Sequence, residues 1–160
     1  MSSNKPVRLF ITHAYQEHEE YARVFEYLES RDNFYYVNCS DPDNKPEGGA
    51  KEAVQEHLRK QISAAEVVIY PVAMHNQDPG LISFQLTVAQ AFKLPILAIK
   101  PFGETIQVPL KLLEPASEVV DWNDRVITDT LTRLARGGGS GDTDIIEFDI
   151  EGLDIPELPK

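Results

Sequence analysis

The chain has 160 residues, of which 42% are hydrophobic, enough for one domain with a sizeable core. Its net charge of −11 is uneven: residues 137–160 carry seven acids and one base, and the first 136 residues carry 19 acids and 14 bases. No basic stripe and no apolar run of roughly 18–20 residues is present, so we expect neither nucleic-acid nor membrane binding. The absence of a signal-peptide pattern and the single Cys39 favour a cytoplasmic protein.

Apolar runs alternate with helical patterns along the first 136 residues. In chain order, the predicted elements are a strand (7–13), a helix (17–30), a strand (33–39), a helix (51–65), a strand (66–74), a helix (78–92), two strands (95–103 and 117–123) and a helix (124–136). In the third strand, Pro71 marks a bulge or the strand's end. On the buried helix faces we expect Tyr21, Val24, Phe25 and Leu28 in the first helix, and Val54, Leu58 and Ile62 in the second.

This alternation predicts the α/β class. Near-continuous apolar strands are typical of a parallel sheet covered on both faces. Five strands suggest a flavodoxin-like three-layer sandwich with strand order 2-1-3-4-5, and a second doubly wound order stays open.

Residues 137–160 differ in composition from the domain that we predict at residues 1–136. The segment GGGSG at 137–141 is a flexible linker by composition, and the acidic tail that follows interleaves Ile, Phe and Leu. The tail is either a solvated or engineered addition, a strand added to a sheet edge, or a partner-binding motif.

The fold rule places a binding crevice outside the carboxyl ends of strands 1 and 3, where the strand order reverses. The helix that bears Gln85 starts from the loop after strand 3, so its first turns should face this crevice. The other candidate residues come from strand 1, the loop after strand 2 and strand 3: Thr12, His13, Tyr15, Ser40, Met74 and His75.

Gln85 is a polar residue on an apolar helix face. Burying its amide without partners would cost about 1–3 kcal/mol, so we expect it to be hydrogen-bonded. It is either a satisfied core amide or part of a binding site. Its apolar neighbours at helical spacing are Leu81, Ile82, Val88 and Ala89.

Several standard sites are missing from the sequence. There is no GxGxxG, no GxxxxGK[ST] and no GxSxG, which disfavours Rossmann-type dinucleotide binding, P-loop chemistry and a hydrolase elbow. The four histidines have no metal-ligand spacing, so no metal site is predicted. Strands 1 and 3 also lack the terminal acids that a phosphoacceptor receiver domain needs.

Five stretches carry a family resemblance, in the order LFITHAY, YYVNCSDPDNKP, KQISAAEVVIYPVAM, GLISFQLTVAQAFKLPILAIKPFG and VVDWN. They span roughly residues 7–135 and leave the tail outside. In this order they resemble the TIR-like domains of bacterial antiphage systems, most closely the Thoeris TIR proteins.

The resemblance implies an NAD glycohydrolase or ADP-ribosyl cyclase that takes NAD as substrate and needs no cofactor. Its ADP-ribose-derived signal would activate a separate effector protein, and neighbouring TIR copies would self-associate. Gln85 stands where the family has its catalytic glutamate, and the crevice residues given above would bind substrate. A carboxylate there stabilises an oxocarbenium-like transition state, whereas an amide lacks the charge, so this form is expected to be impaired.

Other departures from the family pattern are Leu81 in place of Trp, and PFG in place of PWG. Gln85 is either an engineered replacement or natural. If it is natural, a non-catalytic TIR module that binds a nucleotide or another TIR domain is the alternative. A nucleoside deoxyribosyltransferase-like enzyme, which also uses a glutamate on a sugar, is the third candidate.

Overall fold

The computed structural model describes residues 5–48, 50–103 and 108–136. Five parallel strands form one sheet in the order β2-β1-β3-β4-β5, which confirms the predicted flavodoxin-like α/β fold. Because the sheet is covered on both faces, β3 and β4 are buried along their whole length. The strands are β1 (Val7–Ile11), β2 (Tyr36–Asn38), β3 (Val67–Pro71), β4 (Ile96–Ile99) and β5 (Glu118–Val120).

Two helices pack on one face of the sheet and three on the other. The side chains of His18, Asp78 and Asn123 accept backbone N–H bonds at the starts of α1, α3 and α5, which satisfies donors that a helix leaves free. Helices α1 and α5 share one core cluster, and α2, α3 and α4 border the other. The helices are α1 (Glu19–Glu29), α2 (Lys51–Ser63), α3 (Pro79–Ala91), α4 (Leu110–Leu113) and α5 (Asp124–Ala135).

The apolar helix faces lie against the sheet, and five of their seven predicted residues are buried. Tyr21 and Phe25 of α1 pack against the same cluster but are only partly buried. The buried residues are Val24 and Leu28 on one side of the sheet, and Val54, Leu58 and Ile62 on the other. Packing on the two faces of the sheet removes these side chains from contact with water. Their burial supplies the main hydrophobic stabilisation of a three-layer domain.

The structure corrects several element boundaries. The predicted strand at 66–74 ends at Pro71, and a 3₁₀ turn follows at Val72–Asn76. Proline has no N–H to extend a ladder, which favours a strand end at this position. β1 also ends earlier than predicted, at Ile11, so Thr12 and His13 lie just beyond it. Helix α4 was not predicted; at four residues it is too short to show a period.

The predicted linker and acidic tail at 137–160 lie outside the described residues. Within the described ranges, no helix has the length and apolar character that crossing a bilayer requires.

Candidate functional site

The candidate site lies where β1 and β3 end, at the predicted reversal of strand order. Thr12 and His13 follow β1 directly, and both are fully buried. Thr12 N donates to the carbonyl of Ile69 on β3 at 3.1 Å. This bond extends the backbone hydrogen bonding between β1 and β3 by one residue beyond the end of β1. His13 lies beyond that last bond, so its peptide group needs partners from another element.

Gln85 supplies those partners from α3. Its Oε1 accepts from His13 N at 3.0 Å, and its Nε2 donates to His13 O at 2.6 Å. The same Nε2 lies 3.2 Å from the carbonyl of Leu81, one helical turn earlier. Gln85 is 0% exposed. It is therefore a satisfied core amide that pairs with a backbone as a neighbouring strand would, and we call this arrangement the Gln85–His13 clamp.

The clamp distinguishes an amide from a carboxylate. One end of Gln85 accepts and the other donates, which matches the backbone N–H and C=O of a single residue, His13. An ionised glutamate has only acceptors, so one carboxylate oxygen would face the His13 carbonyl without a proton between them. The described geometry thus depends on glutamine at this position.

The ring of His13 is held by a second amide, Gln61 of α2. His13 Nδ1 accepts from Tyr15 N at 3.2 Å, so the ring proton is on Nε2, which donates to Gln61 Oε1 at 2.9 Å. Burial lowers the pKa of His13, although the hydrogen bond to Gln61 acts in the opposite direction. We therefore expect His13 to be neutral at pH 7, because its ordinary value is already below that pH.

Gln61 also connects α2 to the loop after β2. Its Oε1 accepts a second bond from Asp41 N at 2.8 Å, and its Nε2 donates to the carbonyl of His57 at 3.2 Å. Gln61 is buried. One side chain thus joins three segments: the end of β1, the loop after β2, and its own helix.

His57 extends the network toward solvent. Its Nδ1 accepts from Gln61 Nε2 at 2.9 Å and from the Tyr15 hydroxyl at 2.8 Å, which leaves Nε2 protonated and 3.5 Å from Asp41 Oδ2. Tyr15 has a φ of 59°, an uncommon conformation for a residue with a side chain. Burial raises the pKa of Tyr15, so its hydroxyl is protonated at neutral pH and acts as the donor to His57.

Ser40 begins a separate branch of hydrogen bonds. Its Oγ donates to Asn38 Oδ1 and lies 2.8 Å from the Tyr21 hydroxyl. These bonds fix the start of the loop after β2 against α1.

The structure therefore brings together four of the seven predicted site residues: His13, Tyr15 and Gln85 in one network, with Ser40 beside it. Met74 is fully buried in the core cluster, and His75 is partly buried on the 3₁₀ turn. Thr12 Oγ1 is buried without a hydrogen-bond partner among the described residues.

Sequence reasoning missed Gln61 and His57. The two are four residues apart on α2 and each directly precedes a core residue, Ile62 or Leu58. The sequence did contain one sign of their role, because His57 and Gln61 form a polar pair at helical spacing beside the apolar residues of α2. It gives no indication of the partner, since His13 and Gln61 are 48 residues apart in the chain.

Two cavities of opposite charge adjoin the network. One, of about 500 Å³, is lined by Tyr15, Ser40 and the acids Glu17, Asp41 and Asp43. The other, of about 410 Å³, carries a net positive charge, because its wall includes Lys45 and Lys51 and a single acid, Asp78, beside the apolar Leu81 and Phe84. They are close to each other, because Lys45 Nζ lies 5.9 Å from the centre of the Tyr15 ring.

Within the described ranges, no group of three or more His, Cys, Asp or Glu side chains is placed to hold a metal ion. The polar network is built from amides, imidazoles and a phenol. Such groups can bind and orient a ligand and can transfer protons.

The strand order and layers define a flavodoxin-like α/β protein. No protein-family model and no curated protein matches the chain. Among solved structures, the IL-17 receptor B SEFIR domain aligns with 81% of this chain and 96% of its own, at 13% sequence identity and a TM-score of 0.49.

Proposed function

We propose that this chain is a TIR-type module of bacterial antiphage immunity that binds NAD or an ADP-ribose-type nucleotide and does not cleave it. The observation that carries the proposal is the Gln85–His13 clamp. The residue at the family's catalytic position is completely buried, and both ends of its amide are used by backbone groups. A side chain engaged in this way neither contacts a ribose nor carries the charge that bond cleavage requires.

The two adjoining cavities support nucleotide binding. Lys45 and Lys51 outnumber Asp78, the one acid in their cavity, and so suit the negative pyrophosphate, and the acidic cavity suits the positively charged nicotinamide ring of NAD. Leu81 of the basic cavity lies one turn before Gln85 on α3, so a dinucleotide spanning both cavities would pass over the clamp.

The second candidate is the enzyme itself, an NAD glycohydrolase or cyclase whose product activates a separate effector. The position of Gln85 favours it, because this residue of α3 meets the end of β1 at the crevice where the fold binds ligands. Glutamate at position 85 would lose its bond to the His13 carbonyl. Its charge would then favour a conformer turned out of the core toward the crevice.

One experiment separates the two. NAD consumption and products are measured by mass spectrometry for the parent chain, for Gln85→Glu and for Gln90→Glu, which adds the same charge at an exposed site on the same helix. Affinity for ADP-ribose is measured by calorimetry on the same samples. Binding by the parent without cleavage supports the module, and cleavage by the parent refutes it.

Cleavage by Gln85→Glu alone would establish the enzyme interpretation for the scaffold and leave the parent as its impaired form. No binding by the parent and no cleavage by any variant would refute both candidates. A nucleoside panel in the same assay tests the deoxyribosyltransferase-like alternative, which predicts cleavage of nucleosides rather than NAD.

The basic cavity and self-association are tested separately. Lys51→Glu should weaken ADP-ribose binding about tenfold, the usual effect of one close charge contact, and Lys60→Glu at the opposite end of α2 should not. Light scattering with and without nucleotide tests whether copies of the module associate on binding.

A further inference from the structure

One edge of the sheet is open along β2. This strand pairs with β1 and stands first in the order of the sheet. Cys39 N donates to Leu9 O at 2.7 Å, so the odd-numbered residues along this stretch turn their backbone groups toward β1. Because these groups alternate along a strand, the N–H and C=O of Tyr36 and Asn38 point away from β1. Among the described residues, no strand pairs with them.

The same edge carries two large exposed apolar side chains. Tyr35 is 50% exposed and Val37 is 48% exposed, and side chains two residues apart share a face of the sheet. Val37 is paired with Arg8 of β1, whose side chain donates to Ala64 O at the end of α2. Both exposed side chains therefore lie on the α2 side. An edge with free backbone groups and apolar side chains favours pairing with a further strand.

The segment that follows α5 contains a strand pattern. Residues 145–151 read IIEFDIE, in which Ile146, Phe148 and Ile150 alternate with acids. A period of two places the apolar residues on one face of a strand and the acids on the other. This segment lies outside the described residues, so its pattern comes from the sequence.

The end of α5 lies within reach of the β2 edge. Arg136 Nη2 donates to Lys5 O at 2.6 Å, and its Nη1 lies 3.3 Å from the carboxylate of Glu66, so the helix ends beside the starts of β1 and β3. A strand that begins there runs parallel to β2. Neighbouring strands are about 4.8 Å apart, which places a strand added to β2 about 10–15 Å away. The linker at 137–141 spans up to about 17 Å when extended.

The handedness of crossovers selects the β2 edge over the β5 edge. Helices α1 and α5 share one core cluster and so lie on the same face of the sheet. Helix α1 connects β1 to β2, and a connection from β5 through α5 to a strand outside β2 crosses the same face in the same direction. Both crossovers then have one hand, the right hand that parallel connections almost always adopt. A parallel strand outside β5 would need a left-handed crossover.

We propose that residues 145–151 add a sixth, parallel strand to the free edge of β2 in the same chain. Its backbone would pair with Tyr36 and Asn38, as in recognition by strand addition, and its apolar face would cover the exposed side chains on the α2 side. Its acids would lie on the opposite face. The strand would form whether or not the domain binds a nucleotide.

Hydrogen exchange of the full chain tests the pairing. Ile146→Asp places a charge in the apolar face of the added strand, and Ile145→Asp makes the same change on the acidic face. The amides of Tyr36 and Asn38 should exchange at least about tenfold more slowly in the parent than in Ile146→Asp, because a paired N–H exchanges only when the strand opens. In Ile145→Asp the two rates should stay within about threefold of the parent.

A disulfide pair identifies the edge. In a Cys39→Ser background, Val37→Cys with Phe148→Cys should form an intramolecular disulfide in oxidised glutathione, because side chains on one face of neighbouring strands lie within bonding range. Val119→Cys with Phe148→Cys instead offers an exposed position on β5, and its disulfide should form at least about tenfold more slowly.

Three results would overturn the proposal. The first is equal exchange of the two β2 amides in the parent and in Ile146→Asp. The second is disulfide formation at equal rates with Val37→Cys and with Val119→Cys. The third is a disulfide at position 37 that joins two chains, which would show that the tail pairs with a second copy instead of its own domain.

Discussion

The strongest quantitative test of the clamp is the stability of Gln85→Glu. In the parent, Gln85 Nε2 donates to His13 O at 2.6 Å in a fully buried position. The substitution removes that donor, and leaving a buried carbonyl unpaired costs about 1–3 kcal/mol. The new carboxylate must then either take up a proton or leave the core, and leaving also breaks the bond from His13 N. We expect a total loss of about 2–4 kcal/mol of unfolding free energy at pH 7.

The pH dependence of this loss identifies its cause. A protonated glutamate can donate to the His13 carbonyl as glutamine does, so the folded state raises the pKa of the introduced acid. A raised acid pKa means that the folded state holds more protons than the unfolded state, so stability falls as pH rises. The deficit of Gln85→Glu should therefore shrink steadily from pH 7 to pH 5.

Urea denaturation of the parent, Gln85→Glu and Gln90→Glu over this pH range measures the effect. The exposed control should lose less than about 1 kcal/mol, the usual effect of a negative charge near a helix C-terminus. If Gln85→Glu is as stable as the parent at pH 7, or its deficit grows on acidification, the clamp does not hold the end of β1 in the way described.

Three further outcomes follow from the same structure. Replacing Lys93, which has a φ of 61° just after α3, with glycine should add about 0.5–1 kcal/mol of stability in thermal unfolding, and Lys93→Ala should add none because it keeps the Cβ. Gln61→Leu should cost about 2–3 kcal/mol, since it leaves the buried His13 Nε2 and the partly buried Asp41 N without an acceptor, and hydrogen exchange should show faster opening of the loop after β2. Because burial lowers the pKa of His13, the folded state holds fewer protons than the unfolded state, so the parent should lose stability as the pH falls from 7.5 to 5.5. His13→Gln should lose less over that range.

The parallel sheet was predictable because apolar strands alternate with helical patterns in the sequence, and its order was the favoured one of two doubly wound orders that the sequence left open. The position of Gln85 followed as well, since the fold rule alone brings the start of α3 to the end of β1. The boundaries were less predictable: Pro71 ends β3 where apolar residues continue through Val72 to Met74.

The partners of Gln85 were not predictable from pattern. Glutamine in an apolar helix face indicates only that a partner exists. That the partners are the N–H and C=O of one residue, His13, follows from how far β1 extends before its ladder ends. The roles of Gln61 and His57 likewise arise only when α2 packs beside that strand end, because their bonds join segments that no sequence period links.

The clamp also has an evolutionary consequence. Glutamine and glutamate codons differ in their first base, so one nucleotide substitution separates the buried amide from a carboxylate at position 85. Domains of this kind are typically stable by about 5–15 kcal/mol, and the loss expected for Gln85→Glu lies within that reserve. A single nucleotide change in the gene would therefore convert Gln85 to glutamate or the reverse. The stability of the rest of the domain would determine whether the glutamate form still folds.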